Sequence, residues 1–364
     1  MNYLSARPKV TLDVTPLMET HWTGIPVFTR RLAQALLWHG GVDLEFMIHL
    51  TRVPTDAVTA AINAGTGVFL RESFESQTGL GWVVADRMGC LLYPSVKTGF
   101  AVAEREASTV HDLSTLFMPE AHEESNIAYH LDRMALELAT NDVVFCISEA
   151  TRAALLSAFP SVTGKTRQLF QYVDWPANFH LMERNLPPLR LGPYAVVVGT
   201  IEPRKNLRLL LNALSTPELQ RSPLRFVVIG RKGWKVDQFM EALPAEACDR
   251  LLFSGFVSEF TKYRLIKGSE FLIFPSVYEG FGIPALEAMA LGKPVLSSWS
   301  SSLPEVVGDA GVYFDPLSVT DFAAAFSTIA HPRKLAELAV VAAARSAMFT
   351  WQRMAAPVAE WAGS

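Results

Sequence analysis

Short apolar runs separated by amphipathic stretches recur along the whole chain. Residues 9–14 (Lys-Val-Thr-Leu-Asp-Val) predict a first strand and 44–50 (Leu-Glu-Phe-Met-Ile-His-Leu) a second. Between them Phe28, Leu32, Ala35, Leu36 and His39 recur at helical spacing, which predicts a helix over 27–39. Residues 90–93, 108–110 and 142–147 are further short buried strands, whereas 51–86 show no clear period and are not assigned. A proline-rich stretch, Leu186-Pro-Pro-Leu-Arg-Leu-Gly-Pro193, predicts a linker. The pattern then restarts with a strand at 194–198, a helix near 206–214 and strands at 224–230, 251–255, 270–274 and 294–297. Strands alternating with helices predict an α/β chain of two doubly wound parallel sheets. The expected domains are 1–188 and 189–347, followed by a last helix over about 348–364.

Composition narrows the class of protein. At 364 residues, half of them hydrophobic and 19% charged, the chain can build two sizeable cores and long disordered tails are not expected. Its net charge is 32 − 36 = −4, which gives no reason to expect nucleic acid as a partner. Three widely spaced cysteines, Cys90, Cys146 and Cys248, predict buried thiols in a reducing compartment. No run reaches the roughly 20 apolar residues that span a bilayer, and the first nine residues lack the apolar core of a signal peptide. The expected location is the cytoplasm.

The segment richest in chemistry is Glu279-Gly-Phe-Gly-Ile-Pro-Ala-Leu-Glu287. It follows a buried strand and leads into a predicted helix over 285–291, with Pro284 at its first position and Gly292 and Pro294 behind it. In open α/β sheets the crevice at the carboxyl ends of the strands holds the ligand. A helix start adds amide donors that suit a phosphate. A sugar nucleotide reconciles two carboxylates with a phosphate, because Glu287 can accept from a ribose diol and Glu279 from sugar hydroxyls. The alternative is a turn residue and a helix-start charge.

A second cluster, Glu202-Pro-Arg-Lys-Asn206, follows the strand 194–198. The planar fork of Arg204 and the point charge of Lys205 both suit a diphosphate. His111 follows the strand 108–110. Asp112 either orients that imidazole or caps the next turn. Gly24 lies between the first strand and first helix, where it serves a close ligand approach or simply a tight turn.

The run Phe274-Pro-Ser-Val-Tyr-Glu-Gly-Phe-Gly-Ile-Pro-Ala-Leu-Glu-Ala-Met-Ala-Leu-Gly-Lys-Pro-Val295 resembles the signature of the family 4 (group 1) retaining glycosyltransferases. Val198-Gly-Thr-Ile-Glu-Pro-Arg-Lys-Asn-Leu207, Ser300-Ser-Ser-Leu-Pro-Glu-Val-Val-Gly-Asp-Ala-Gly311 and Val110-His-Asp-Leu113 resemble three more of its segments, in the family's order. The resemblance implies a GT-B fold: two Rossmann-like domains facing a nucleotide-sugar cleft, the first on the acceptor side, with the last helix crossing back to it. It implies that His111 contacts the donor sugar near the reacting centre. Lys205 would bind the diphosphate; many relatives carry a second arginine where this chain has Thr200, so either Arg204 stands in for it or one charge is missing. Gly280, Phe281, Gly282 and Ile283 would line the donor. The loop 230–234 that begins at Gly230 would lie near the base, and Ser300 to Pro304 would meet the nucleotide or sugar.

The expected reaction is transfer of a hexosyl group with retention. Lys205, Arg204 and helix-start amides stabilise the leaving diphosphate where its charge grows. On that reading His111, Glu279 and Lys205 are catalytic. A divalent metal is not needed, and no Asp-x-Asp pair is present to hold one, although Asp13 and Asp112 stand alone as acidic candidates. GDP-mannose is the favoured donor by resemblance, with GDP-fucose and UDP-sugars open. The acceptor is a glycan or lipid-linked glycan of a surface polysaccharide. Peripheral association with the inner face of the plasma membrane is open too, through the helix that carries Arg30 and Arg31. The alternatives are a nucleotide-sugar epimerase, a phosphorylase or a non-catalytic scaffold. A nicotinamide dehydrogenase is disfavoured because no Gly-x-Gly-x-x-Gly follows any strand.

Overall fold

The computed structural model describes residues 7–77, 88–122, 124–231, 233 and 249–364. Contacts divide the chain into two compact units. One comprises residues 1–117, 122–172 and 350–364, the other residues 118–121 and 173–349.

The first unit is built on a seven-stranded sheet of order β3-β2-β1-β4-β5-β6-β7. Its strands are β1 (Lys9–Asp13), β2 (Asp43–Ile48), β3 (Thr51–Val53), β4 (Met88–Tyr93), β5 (Ala103–Val110), β6 (Val143–Cys146) and β7 (Thr166–Gln168). All neighbours pair in parallel except β3, an antiparallel edge on β2. The helix Ile25–His39 buries Phe28, Leu32, Ala35 and Leu36, the predicted face. Arg31 on it is also buried, so the helix does not present that charge to a lipid surface. The C-terminal helix Trp351–Gly363 joins this unit. It sets Trp351 edge-on to Trp38, and Trp361, fully buried, edge-on to Phe145.

The second unit carries six parallel strands of order β10-β9-β8-β11-β12-β13. They are β8 (Tyr194–Val198), β9 (Arg225–Ile229), β10 (Leu251–Gly255), β11 (Leu272–Phe274), β12 (Val295–Ser298) and β13 (Gly311–Phe314). Every residue of β8, β11 and β12 is buried, as expected of strands covered on both faces. The order reverses between β8 and β11. At such a switch point, outside the carboxyl ends of the strands, open α/β sheets bind their ligands.

Two differences from the sequence reading have clear causes. The expected boundary at 188/189 falls inside the second unit, because residues 177–184 fold onto the helix Glu259–Gly268. Phe179 packs edge-on against Phe260 and Tyr263, and His180 Nδ1 lies 2.9 Å from the Tyr263 hydroxyl. Strand β5 begins five residues ahead of its apolar part, at Ala103. Its buried Glu106 escaped the hydrophobic pattern because it pairs with fully buried Lys97 and accepts the amides of Ala101, Val102 and Ala103.

Candidate active site

The crevice of the second unit brings together two of the predicted clusters. Lys205 lies in a single 3-10 turn (Pro203–Lys205) after β8. Asn206 closes that turn in the left-handed region (φ 53°) and donates to the carbonyls of Pro275 and Pro316 at 3.1 and 2.8 Å. The amide of Val277 returns a bond to Arg204 O at 2.9 Å. The turn after β8 is thereby tied to the turn after β11. The consequence is an ionic cluster: Lys205 Nζ lies 2.5 Å from Glu279 Oε1, and Arg204 Nη1 lies 3.2 Å from Glu279 Oε2. Arg204 Nε also pairs with Glu202 Oε1 at 2.8 Å, and its Nη1 reaches Tyr278 O.

Glu279 is 7% exposed. Burial pushes its carboxyl up, but Lys205 and Arg204 outweigh that and hold it below the usual carboxylate range. Burial lowers the ammonium of Lys205 from its ordinary value, against the field of Glu279. Magnitudes decide what a ligand can do here. Two unit charges about 4 Å apart near a protein surface attract by about 4 kcal/mol, while a neutral hydrogen bond is worth about 0.5–1.5 kcal/mol net. A sugar hydroxyl therefore adds to Glu279 without displacing Lys205, whereas a diphosphate competes for both cations on equal terms.

Glycines set the floor of the crevice. Gly199 has φ 147°, and a Cβ there would sit 3.4 Å from Lys205 Cε. Gly230 has φ 156°, and a Cβ on it would lie 1.9 Å from Gly199 O, so the loops after β8 and β9 are stacked backbone on backbone. Exposed Thr200 sits at this junction. Gly230 and Arg231 belong to the loop expected near the base. Lys232 and Trp234 of that loop lie outside the described residues, as does Cys248.

The helix after the glycine turn is Ile283–Met289, two residues earlier than predicted, with Gly282 (φ 112°) at its start. Pro284 has no N–H, and the amides of Ala285 and Leu286 are bonded to Gly282 O. Any amide offered to a phosphate thus comes from Ile283 or earlier. The serine loop braces this turn. Ser300 donates to Val277 O, Ser301 accepts from Glu279 N at 2.8 Å, and Ser302 donates to the carbonyls of Glu279 and Phe281.

Glu287 is 2% exposed and pairs with Lys262 Nζ at 2.7 Å. Lys262 in turn lies over the ring of Trp175, whose Nε1 donates to Glu287 O at 3.2 Å. Sequence reasoning missed Lys262 and Trp175. Neither stands in a motif, and only the fold carries them to Glu287.

His111, Asp112 and Gly24 belong to the first unit. Gly24 is the start of the helix Ile25–His39, with φ 56°, a left-handed turn that glycine favours. Asp112 Oδ1 accepts from Ser114 N and Oγ at 3.0 and 2.6 Å, which is the capping reading. Asp13 likewise serves a turn, accepting from Thr15 and Thr98. The hydrogen-bonding sense of His111 is set by its neighbour. Its Nε2 lies 2.7 Å from Pro94 O. A carbonyl only accepts, so Nε2 carries the proton. Burial lowers the imidazole from its ordinary value and keeps it neutral at pH 7. Nδ1 is then a lone pair that can accept from a hydroxyl.

Comparison with known proteins bears on the family and the fold. The model of the family "Glycosyl transferases group 1" matches residues 189–345. The O-antigen chain mannosyltransferase B of Escherichia coli is 32% identical over 259 residues, 68% of each chain. The serotype-specific mannosyltransferase WbdA of the same species is 26% identical over 261 residues, 67% of this chain and about a third (32%) of that longer protein. Among solved structures, sucrose-phosphate synthase from Thermosynechococcus elongatus superposes with a TM-score of 0.66 at 19% identity, covering 98% of both chains. Anabaena HepE in complex with UDP and glucose gives 0.66 at 17% identity, covering 98% of this chain and 99% of that one. Both sheets thus have the GT-B fold, and the chain belongs to the group 1 glycosyltransferases, a family of retaining, nucleotide-sugar-dependent hexosyltransferases.

Proposed function

We propose that this enzyme transfers mannose from GDP-mannose, with retention, to a glycan or lipid-linked glycan during synthesis of a surface polysaccharide. The observation that carries the reading is Glu279 held between Lys205 and Arg204 in the crevice of the second sheet. The names of the mannosyltransferase relatives support the choice of sugar. In this reading the diphosphate takes over Lys205 and Arg204, which stabilise the negative charge that develops as the sugar–phosphate bond breaks. Glu279 accepts from the hydroxyls of the sugar, Glu287 accepts from the ribose diol, and neutral His111 accepts from a sugar hydroxyl. Glu279 and Glu287 come from one turn–helix unit. A retaining glycosidase instead sets its two carboxyl groups across the scissile bond. Substitution is therefore on the face the phosphate leaves, with the leaving phosphate taking the proton of the acceptor hydroxyl. No helix among the described residues is long and apolar enough to cross a membrane.

The test has two parts. Thermal-shift screening of GDP-mannose, GDP-fucose and UDP-sugars should raise the melting temperature most with GDP-mannose, by linkage. NMR of the transferred sugar should show the anomeric configuration of the donor. An inverted anomer overturns the mechanism. Consumption of donor without acceptor indicates an epimerase, and a requirement for free phosphate a phosphorylase. Absence of both transfer and hydrolysis leaves a scaffold.

A further inference from the structure

Residues 94–102 join β4 to β5 without regular structure, and the one charged residue among them, Lys97, is fully buried. An ammonium has three protons, and this one has three acceptors: Glu106 on β5, Thr140 Oγ1 at 2.9 Å and Asn141 Oδ1 at 3.2 Å. Glu106, also buried, spreads its carboxylate over the end of the same segment. Its Oε1 accepts from the amides of Val102 at 2.6 Å and Ala103 at 3.1 Å, and its Oε2 from that of Ala101 at 3.2 Å. Thr98 adds a tie to Asp13 Oδ2 at 3.3 Å. Ala101 is held at φ 54°, in the left-handed region that a residue with a Cβ seldom takes. Such a conformation persists only where its surroundings over-determine it.

Stability alone does not account for this pair. Two charges taken out of water contribute little net stability, and apolar residues of the same volume often do as well or better. What the network does fix is the course of the segment. That segment starts at Pro94, whose carbonyl lies 2.7 Å from His111 Nε2. Tyr93 and Ser108 are partners across β4 and β5, so the two strand ends deliver Pro94 and His111 side by side. Proline has no N–H, so its carbonyl is its one polar group, and the path of residues 95–102 sets where that carbonyl points. It admits a single tautomer of His111, with the proton on Nε2 and a lone pair on Nδ1. A neutral imidazole released from it would exchange between both tautomers.

We propose that Lys97 is a positioning residue for the transfer: through Glu106 it holds residues 94–102 on the course that aims Pro94 O at His111 Nε2, and so keeps Nδ1 an acceptor. The proposal rests on the role given to His111 above and deepens it. The hydrogen-bonding sense of that imidazole is set by a buried ammonium that touches neither the ring nor a substrate.

The test is Lys97→Met, which keeps an unbranched side chain of similar length and removes its three donors. Glu106→Gln is the second variant, to be used where the first does not fold; it keeps an acceptor for the amides and removes the charge that Lys97 grips. Proton–nitrogen correlation spectra of the imidazole rings, recorded on the full chain at neutral pH, read the tautomer without any substrate. The His111 signals are identified by their absence in His111→Gln. Wild type should show the single Nε2–H pattern, and a folded variant should show ring nitrogens averaged between the two tautomers. With saturating donor its kcat should fall about tenfold, the scale of one oriented hydrogen bond, while the donor KM stays within about twofold. A folded variant that keeps the wild-type His111 pattern overturns the proposal, whatever its melting temperature or activity. A changed pattern with unchanged kcat upholds the grip of Lys97 on the ring and sinks instead the part given to His111 in the reaction.

Discussion

The two units repeat one strand order, with a reversal between β1 and β4 in the first and between β8 and β11 in the second, yet they place opposite chemistry near it. The second unit fills its crevice with charge: Glu202, Arg204, Lys205 and Glu279 on apposed turns, and Glu287 with Lys262 behind them. The first unit offers a neutral imidazole and hydroxyls, and its acidic residues Asp13 and Asp112 are spent on turns. The topology fixes where a ligand goes and the side chains fix what it is. On the proposed reading a charged pair of phosphates suits the second set, and an uncharged, hydroxylated group the first.

The largest effect expected on this contrast comes from removing charge in the second unit. With saturating donor, Lys205→Ala and Glu279→Gln should each lower kcat by about 10²–10³, the usual scale for one electrostatic group aimed at developing charge. Glu279→Ala should remain folded but melt earlier. It leaves Lys205 and Arg204 without their shared carboxylate, at a cost of about 1–3 kcal/mol. Near-normal turnover of either charge variant would remove the distinction between the units.

The same contrast explains what was legible in the sequence. The second unit's site is nearly all local: Glu279 to Glu287 and Glu202 to Asn206 are short motifs tied to strand ends, Gly282 is demanded by its left-handed φ of 112°, and Gly230 nearby by a backbone approach of 1.9 Å. What could not be read is what each group bonds to. That Lys205 grips Glu279 depends on Asn206 joining two loops 69 residues apart. Lys262 reaches Glu287 from a helix 25 residues upstream with no motif around it. The first unit was harder throughout. Its catalytic candidate is a single histidine whose hydrogen-bonding sense depends on a carbonyl 17 positions away. Its strand β5 opens with charged residues, of which buried Glu106 is held by Lys97 and three backbone amides. The edge strand β3 has three residues, too few to show a period.

A middle-sized effect should sharpen the picture of the second unit. Lys262 keeps the Glu287 carboxylate in place while resting on Trp175. Lys262→Met should raise the donor KM about tenfold, the loss expected for one charged hydrogen bond, and leave kcat within about twofold. Lys262→Arg should restore most of it. Steady-state kinetics across donor concentration would separate the two parameters. An unchanged KM would mean that Glu287 needs no such support or does not hold the ribose.

The smallest effect belongs to the first unit and concerns pH. Burial lowers the His111 imidazole from its ordinary value of 6.5, and its bond to Pro94 and the nearby Asp112 only partly offset this. Below pH 6.5 the unfolded chain therefore takes up a proton that the folded one refuses. Protonation favours the unfolded state, and stability falls as pH drops from 6.5 toward the lower folded value. Glu279 does not contribute in this window, since its carboxyl stays ionised below the usual carboxylate range. Melting curves between pH 7.5 and 5.5 should show wild type losing melting temperature faster than His111→Gln, whose amide can still donate to Pro94 but cannot be protonated. Equal slopes would mean that His111 titrates normally, and the neutral, accepting imidazole that sets the first unit apart from the second would be lost with it.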